Sequence, residues 1–137
     1  ARVLKGGQVL VVCAHRREEV ISQLQDRGCE VLHLPNAEGK VDLPALMRLL
    51  AERGLNEVHV EAGHKLNASL LREDCVDELL MYVSVSLLGA GRSMFDLAPV
   101  ASLDERISLD LRSVDRIGED LRLLARVRGT SPAKGSA

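Results

Sequence analysis

The first part of the chain alternates short apolar runs with segments of helical periodicity. Residues 8–14 form a nearly continuous, largely β-branched apolar run, which is typical of a strand covered on both faces in a parallel sheet. Residues 17–27 carry apolar side chains at helical spacing, and Gly28 supplies a helix stop. A second apolar run follows at residues 29–34. This order predicts a parallel, right-handed β-α-β arrangement.

The same alternation continues through the middle of the chain. Asp42 is a predicted helix cap, Pro44 fits the first turn of that helix, and Gly54 ends it. Residues 57–61 alternate valine with polar side chains and predict a third short strand, and residues 65–73 predict a further helix. The residues predicted to face inward from this helix are Leu66, Leu70 and Leu71.

The pattern changes after this helix. Residues 78–88 give a long strand signal, while residues 106–114 and 121–127 alternate apolar and polar side chains. We expect these last two strands to pair as an antiparallel hairpin through residues 115–120, which makes one sheet edge antiparallel. Residues 129–137 are small and polar and predict a disordered tail.

Composition narrows the class of protein. A chain of 137 residues suits one hydrophobic core, and its formal net charge of −2, with mixed signs along the chain, argues against nucleic-acid binding. No apolar run reaches the roughly 20 residues of a membrane span, so a soluble cytoplasmic protein is expected. The cysteines and histidines lack the spacing of a metal site, and no metal is predicted.

The best candidate site lies where the predicted third strand meets the next helix. Gly63 at this junction would leave the first helical N–H groups exposed, and an anion can bind to such groups. Lys65, Asn67 and Ser69 could add contacts, and Glu61 would project from the same crevice. Many strand-glycine-helix junctions are plain connections, so both interpretations stay open on these residues alone.

A second glycine-rich segment is less informative. Residues 87–93 invite a dinucleotide-loop interpretation, but Met94 occupies the third glycine position and the fingerprint fails. Arg92 and Ser93 remain available for polar contacts in a loop that lines a cleft.

Several motifs together carry a family resemblance. Val-Glu-Ala-Gly at residues 60–63, Val-Asp-Glu-Leu at 76–79, Leu-Leu-Gly at 87–89 and Met-Phe-Asp-Leu at 94–97 resemble the reductase domain of the bifunctional riboflavin-biosynthesis deaminase/reductase. The resemblance extends to about Arg128. It implies a three-layer α/β fold like that of dihydrofolate reductase, with a mostly parallel central sheet and an antiparallel C-terminal hairpin at one edge.

The resemblance also implies an activity and its residues. The family reduces 5-amino-6-(5-phosphoribosylamino)uracil with NADPH, and Glu61 matches its substrate-contacting carboxylate. The implied cofactor-binding residues are Gly63, His64, Lys65, Leu66, Asn67, Ala68 and Ser69. The family often has Gly-Pro-Thr-Leu where this chain has Gly-His-Lys-Leu at 63–66, so we expect backbone contacts there rather than contacts from the side chains of His64 and Lys65.

The family includes parts that this sequence does not show. The zinc deaminase domain and the first reductase segment are absent, so residues 1–128 are expected to be the C-terminal part of a reductase domain, inactive when isolated. The alternative is a non-catalytic nucleotide-binding or dimerisation module of the same fold. Leucine- and valine-rich strands at a sheet edge favour a homodimer.

Overall fold

The computed structural model describes residues 8–128, which form two compact units divided between Val58 and His59. The predicted disordered tail at residues 129–137 lies outside the described residues.

The first unit is a β-α-β-α segment with a parallel strand pair. Its elements are β1 (Leu10–Cys13), α1 (Glu18–Gln25), β2 (Glu30–His33) and α2 (Leu43–Glu52). The two strands are in register from Leu10 opposite Glu30 to Cys13 opposite His33. The parallel β-α-β arrangement is therefore confirmed for this part of the chain.

Local signals set the helix ends in this unit. The Oδ1 atom of Asp42 accepts a hydrogen bond from the amide of Ala45 at 2.8 Å, and Pro44 lies in the first turn of α2. Gly28 and Gly54 follow the two helices with φ of 80° and 85°, a backbone conformation that residues with a Cβ rarely adopt. The predicted cap and stops are confirmed.

The second unit contains one helix and an antiparallel sheet. Its elements are α3 (His64–Arg72), β3 (Glu78–Val83), a short 3-10 helix (Leu103–Glu105), β4 (Ser108–Ile117) and β5 (Asp120–Arg128). The strand order is β3-β5-β4, so β5 lies in the centre. The predicted C-terminal hairpin is confirmed, with a tighter turn than expected because Ile117 already pairs with Asp120.

The antiparallel part of the fold is larger than the sequence indicated. The strand β3 also joins it, pairing from Glu78 opposite Arg126 to Val83 opposite Leu121. The α/β class is confirmed, with parallel pairing in the first unit and antiparallel pairing in the second.

Buried side chains are few in the described residues. The buried hydrophobic residues are Cys29 and Leu43 in the first unit and Ala68, Leu70, Leu71 and Ala125 in the second. On the edge strand β4, by contrast, Leu109, Leu111 and Val114 stay exposed. The apolar side chains of that strand are therefore not covered by other residues in the part of the chain that the structure describes.

Three predictions of secondary structure and orientation are wrong. Residues 57–61 form no strand, because alternation gives a strand only where a neighbouring strand supplies hydrogen bonds, and these residues have no such partner within 8–128. The strand predicted at 78–88 ends at Val83, and Leu87 beyond it is fully exposed. Leu66, predicted to face inward, is 45% exposed, while Leu70 and Leu71 are buried as predicted and Ala68 is buried as well.

Candidate functional site

The start of α3 exposes backbone donors. Gly63 is the N-cap in an extended conformation, and the first helical hydrogen bond runs from the amide of Asn67 to the carbonyl of Gly63 at 3.1 Å. The amides of His64, Lys65 and Leu66 consequently have no acceptor within the helix, and no side chain caps them in the described residues. Such a helix start favours an anion through its N–H groups and its dipole.

Space and charge around Gly63 suit a phosphate group. A methyl group built on Gly63 would meet no atom within 4 Å, so the approach to the helix start is open. The side chain of Lys65 is exposed, and the first turn of α3 contains no acidic residue. The residues present therefore fit the phosphate part of a nucleotide cofactor.

The predicted cofactor residues divide into three groups, of which the first two are the start of the helix and a buried position. Gly63, Lys65 and Leu66 are exposed at the start of the helix, and His64 between them is half-buried. Ala68 is 0% exposed, so its side chain packs in the core and cannot touch a ligand in this arrangement.

The two predicted side-chain donors of α3 already have partners. Asn67 Nδ2 donates to the carbonyl of Met94 at 3.4 Å, and the Ser69 hydroxyl oxygen accepts from Arg72 Nη2 at 3.2 Å. Both side chains thus contribute to holding the protein's own structure at this end of the unit.

Glu61 lies two residues before the N-cap, on an exposed segment. Its Oε1 atom is 3.4 Å from Nε2 of His59, and 86% of its side chain is accessible to solvent. The carboxylate is free to accept hydrogen bonds from a ligand, although the strand that was expected to carry it is absent.

The structure adds contacts that sequence patterns did not reveal. Arg72 Nη1 donates to the carbonyl of Asp96 at 3.1 Å, and the amide of Asp96 donates to the carbonyl of His64 at 3.1 Å. No periodicity or motif signals a contact across 24 residues of chain. The Ser93 hydroxyl, by contrast, bonds within its own loop, where it donates to the Phe95 carbonyl at 2.6 Å.

Ion pairs join the two strands of the β4–β5 hairpin. A hydrogen bond from Arg122 at 2.8 Å, helped by Ser113, lowers the pKa of Asp115, and Arg128 lowers the pKa of Asp110 in the same way. Both pairs join directly or diagonally opposed positions on the two strands.

Residues 8–128 contain neither a metal-binding cluster nor a membrane-spanning helix. No cluster of three or more His, Cys, Asp or Glu side chains in that range could hold a metal ion. Within the same range, no helix has the length and apolar character needed to cross a bilayer.

Comparison with known proteins decides the family. The model of the RibD C-terminal domain family matches residues 1–123. The chain belongs to the RibD C-terminal domain family. The predicted family is therefore confirmed over nearly all of the sequence.

Individual relatives agree with this family. The RibD protein of Escherichia coli is 32% identical over 93 residues, which is 67% of this chain and 25% of that protein. A Buchnera aphidicola protein named 5-amino-6-(5-phosphoribosylamino)uracil reductase is 26% identical over 91 residues, covering 62% of this chain and 42% of that protein. The chain thus spans about a quarter of the length of the RibD relatives it matches.

A solved structure confirms the fold. RibD of Acinetobacter baumannii superposes with a TM-score of 0.76 at 26% sequence identity, covering 93% of this chain and 34% of that chain. The fold is that of the riboflavin-biosynthesis reductases, the dihydrofolate-reductase-like α/β class predicted from sequence.

Proposed function

We propose that residues 1–128 are the C-terminal part of a 5-amino-6-(5-phosphoribosylamino)uracil reductase, which uses NADPH to reduce a ribosyl group to ribityl in riboflavin biosynthesis. The observation that carries this proposal is the family match over residues 1–123, which includes the open helix start of α3. Similarity to the Buchnera reductase supports the choice of substrate.

The cofactor contacts follow from the helix start. The amides of His64, Lys65 and Leu66 hold a phosphate group of NADPH, and the absence of a side chain on Gly63 lets that group approach closely. The exposed ammonium group of Lys65 adds a positive charge. Bound there, NADPH supplies the hydride for the reduction.

Glu61 is the proposed substrate contact. Its exposed carboxylate accepts hydrogen bonds from N–H or O–H groups of the pyrimidine substrate and so orients the sugar carbon to be reduced. Its position two residues before Gly63 keeps substrate and cofactor contacts on one short stretch of backbone.

The proposed protein acts with partners. We propose that an N-terminal reductase segment and a zinc deaminase domain complete the protein. The matched region covers 34% of RibD of A. baumannii, which leaves room for both parts. We also propose that the whole protein acts in the cytoplasm. A homodimer is proposed because the edge strand β4 leaves Leu109, Leu111 and Val114 exposed. Sedimentation of a monomer at high concentration would contradict the dimer.

An activity assay tests the reaction and the role of Glu61. In the whole protein encoded by the gene, oxidation of NADPH with 5-amino-6-(5-phosphoribosylamino)uracil is followed by absorbance. Glu61→Gln is expected to lower kcat/KM by about tenfold or more, because it removes a charged hydrogen-bond acceptor. Glu57→Gln, also an exposed glutamate, is the matched control and should stay within about twofold of wild type, since such surface changes are nearly neutral.

The outcomes separate the candidate functions. Equal activity of the two variants would remove Glu61 from the substrate site. NADPH binding without substrate-dependent turnover by the whole protein would favour the alternative, a non-catalytic nucleotide-binding or dimerisation module. The 137-residue chain by itself is expected to show no measurable reduction.

A further inference from the structure

A loop segment is fastened along α3. The amide of Asp96 donates to the carbonyl of His64 at 3.1 Å, and Asn67 Nδ2 donates to the carbonyl of Met94 at 3.4 Å. Arg72 Nη1 adds a third bond, to the carbonyl of Asp96 at 3.1 Å. Residues 94–96 therefore run beside the first two turns of the helix that begins at Gly63.

Arg72 connects this loop to the helix at two points. Its side chain leans toward the helix N-terminus, as helical side chains do, and its Nη2 atom donates to the Ser69 hydroxyl at 3.2 Å. Because the guanidinium group is a rigid planar fork, the two bonds fix the Asp96 carbonyl relative to the helix surface. A lysine at this position could supply the charge but not the fork.

The loop just before the fastened segment carries an exposed cation. Ser93 and Phe95 close a tight turn through two hydrogen bonds, of 2.6 and 3.3 Å, which stiffens the loop next to Met94. Arg92 precedes this turn, is exposed, and forms no ion pair within residues 8–128. Its backbone lies within about 7 Å of Met94, the reach of two residues of chain.

We infer that Arg72 is a positioning residue of the proposed cofactor site, where it holds Arg92 beside the start of α3. Arg92 then adds a second positive charge to the site formed by Lys65 and the free amides of the helix. This inference rests on the proposed function, since it concerns the affinity for the phosphate groups of NADPH.

A double-mutant cycle tests the coupling. The dissociation constant for NADPH is measured calorimetrically in the whole protein encoded by the gene, for Arg72→Ala, Arg92→Ala and the double variant. Each single change is expected to weaken binding by about fivefold to tenfold, the effect of one exposed charged contact. The double variant should bind NADPH no more weakly than the single variant with the lower affinity, because Arg72 acts through Arg92. Arg48→Ala, which removes an exposed helical arginine elsewhere, should change binding less than about twofold.

A second measurement does not depend on the ligand. Amide hydrogen exchange of Asp96, whose N–H group donates to the His64 carbonyl, should become about fivefold to tenfold faster in Arg72→Ala. It should stay unchanged in Arg92→Ala, because Arg72 bonds to the carbonyl of Asp96 and Arg92 does not. If Arg72→Ala does not fold, Arg72→Lys keeps the charge and the helix propensity but lacks the fork, and it should show the same changes with smaller amplitude.

The possible results are distinct. Losses that multiply in the double variant, or an Arg72→Ala protein that binds NADPH as wild type does, would overturn the inference while leaving the proposed function in place. A wild-type protein that does not bind NADPH would refute the proposed function, and the inference with it.

Discussion

Leu70→Ala should destabilise the protein much more than Leu66→Ala, although the two leucines lie one turn apart on α3. Leu70 is 3% exposed and Leu66 is 45% exposed. Truncation of a buried leucine costs about 2–5 kcal/mol of the free energy of unfolding, since it loses the transfer free energy and leaves a cavity. Leu66 keeps nearly half of its surface in solvent and encloses no cavity, so its truncation should cost about 1 kcal/mol.

Urea unfolding of the chain, followed by far-ultraviolet circular dichroism, measures this difference. With an m-value of about 1–3 kcal/mol/M, a loss of about 3 kcal/mol lowers the urea midpoint by roughly 1–3 M for Leu70→Ala. The shift for Leu66→Ala should be about a third as large, with an unchanged m-value. Equal shifts, or a larger shift for Leu66→Ala, would refute the orientation of α3 and with it the exposed position of Leu66 at the candidate site.

Two further predictions concern the two units separately. Asp42→Ala should cost about 1 kcal/mol in urea unfolding by removing the cap on Ala45, whereas Asp42→Asn should keep most of that stability; equal losses would contradict the cap. The pKa of Asp115 is lowered by its hydrogen bond from Arg122, so the stabilisation is complete above the ordinary pKa of the carboxyl and is lost as the pH falls through the lowered value. The urea midpoint of wild type should therefore fall more steeply below about pH 4 than that of Asp115→Asn, and parallel curves would contradict the pair.

Local sequence signals predicted the helix ends well. Asp42 caps α2 because its carboxylate reaches an amide three residues ahead, and Gly28 follows α1 because it tolerates a positive φ. Both effects act within a few residues of chain and need no knowledge of the tertiary structure. The C-terminal hairpin was predicted for the same reason, since its two strands are neighbours in sequence.

Pairing between distant segments could not be predicted in this way. Val58 and Val60 alternate with polar residues as a strand would, yet both stay exposed and residues 57–61 have no strand partner in the described region. The pairing of β3 with β5 was missed because alternation shows that a segment suits a sheet and not which strand lies beside it.

At the candidate site, too, local features were predictable from the sequence and contacts between distant segments were not. The helix start at Gly63 was visible in the sequence, since glycine is among the residues found at helix N-caps and a helical pattern follows it. The contact between Arg72 and Asp96 was not visible, because it joins a helix to an irregular loop that no periodicity describes. The family resemblance reached the site residues, but only the structure showed that Ala68 is buried.

Calorimetric titration of NADPH into the whole protein encoded by the gene, with a blocked helix start, tests the central claim most directly. Gly63 has φ of −78° and open space around it, so Gly63→Val should fold while its side chain obstructs the amides of His64, Lys65 and Leu66. Ala51→Val is the control, since it adds a branched side chain at an exposed position of α2, a helix with no part in the proposed site. We predict that Gly63→Val weakens NADPH binding by about tenfold or more, the loss expected when charged hydrogen bonds are removed, and that Ala51→Val stays within about twofold of wild type. Wild-type affinity in Gly63→Val would contradict the account.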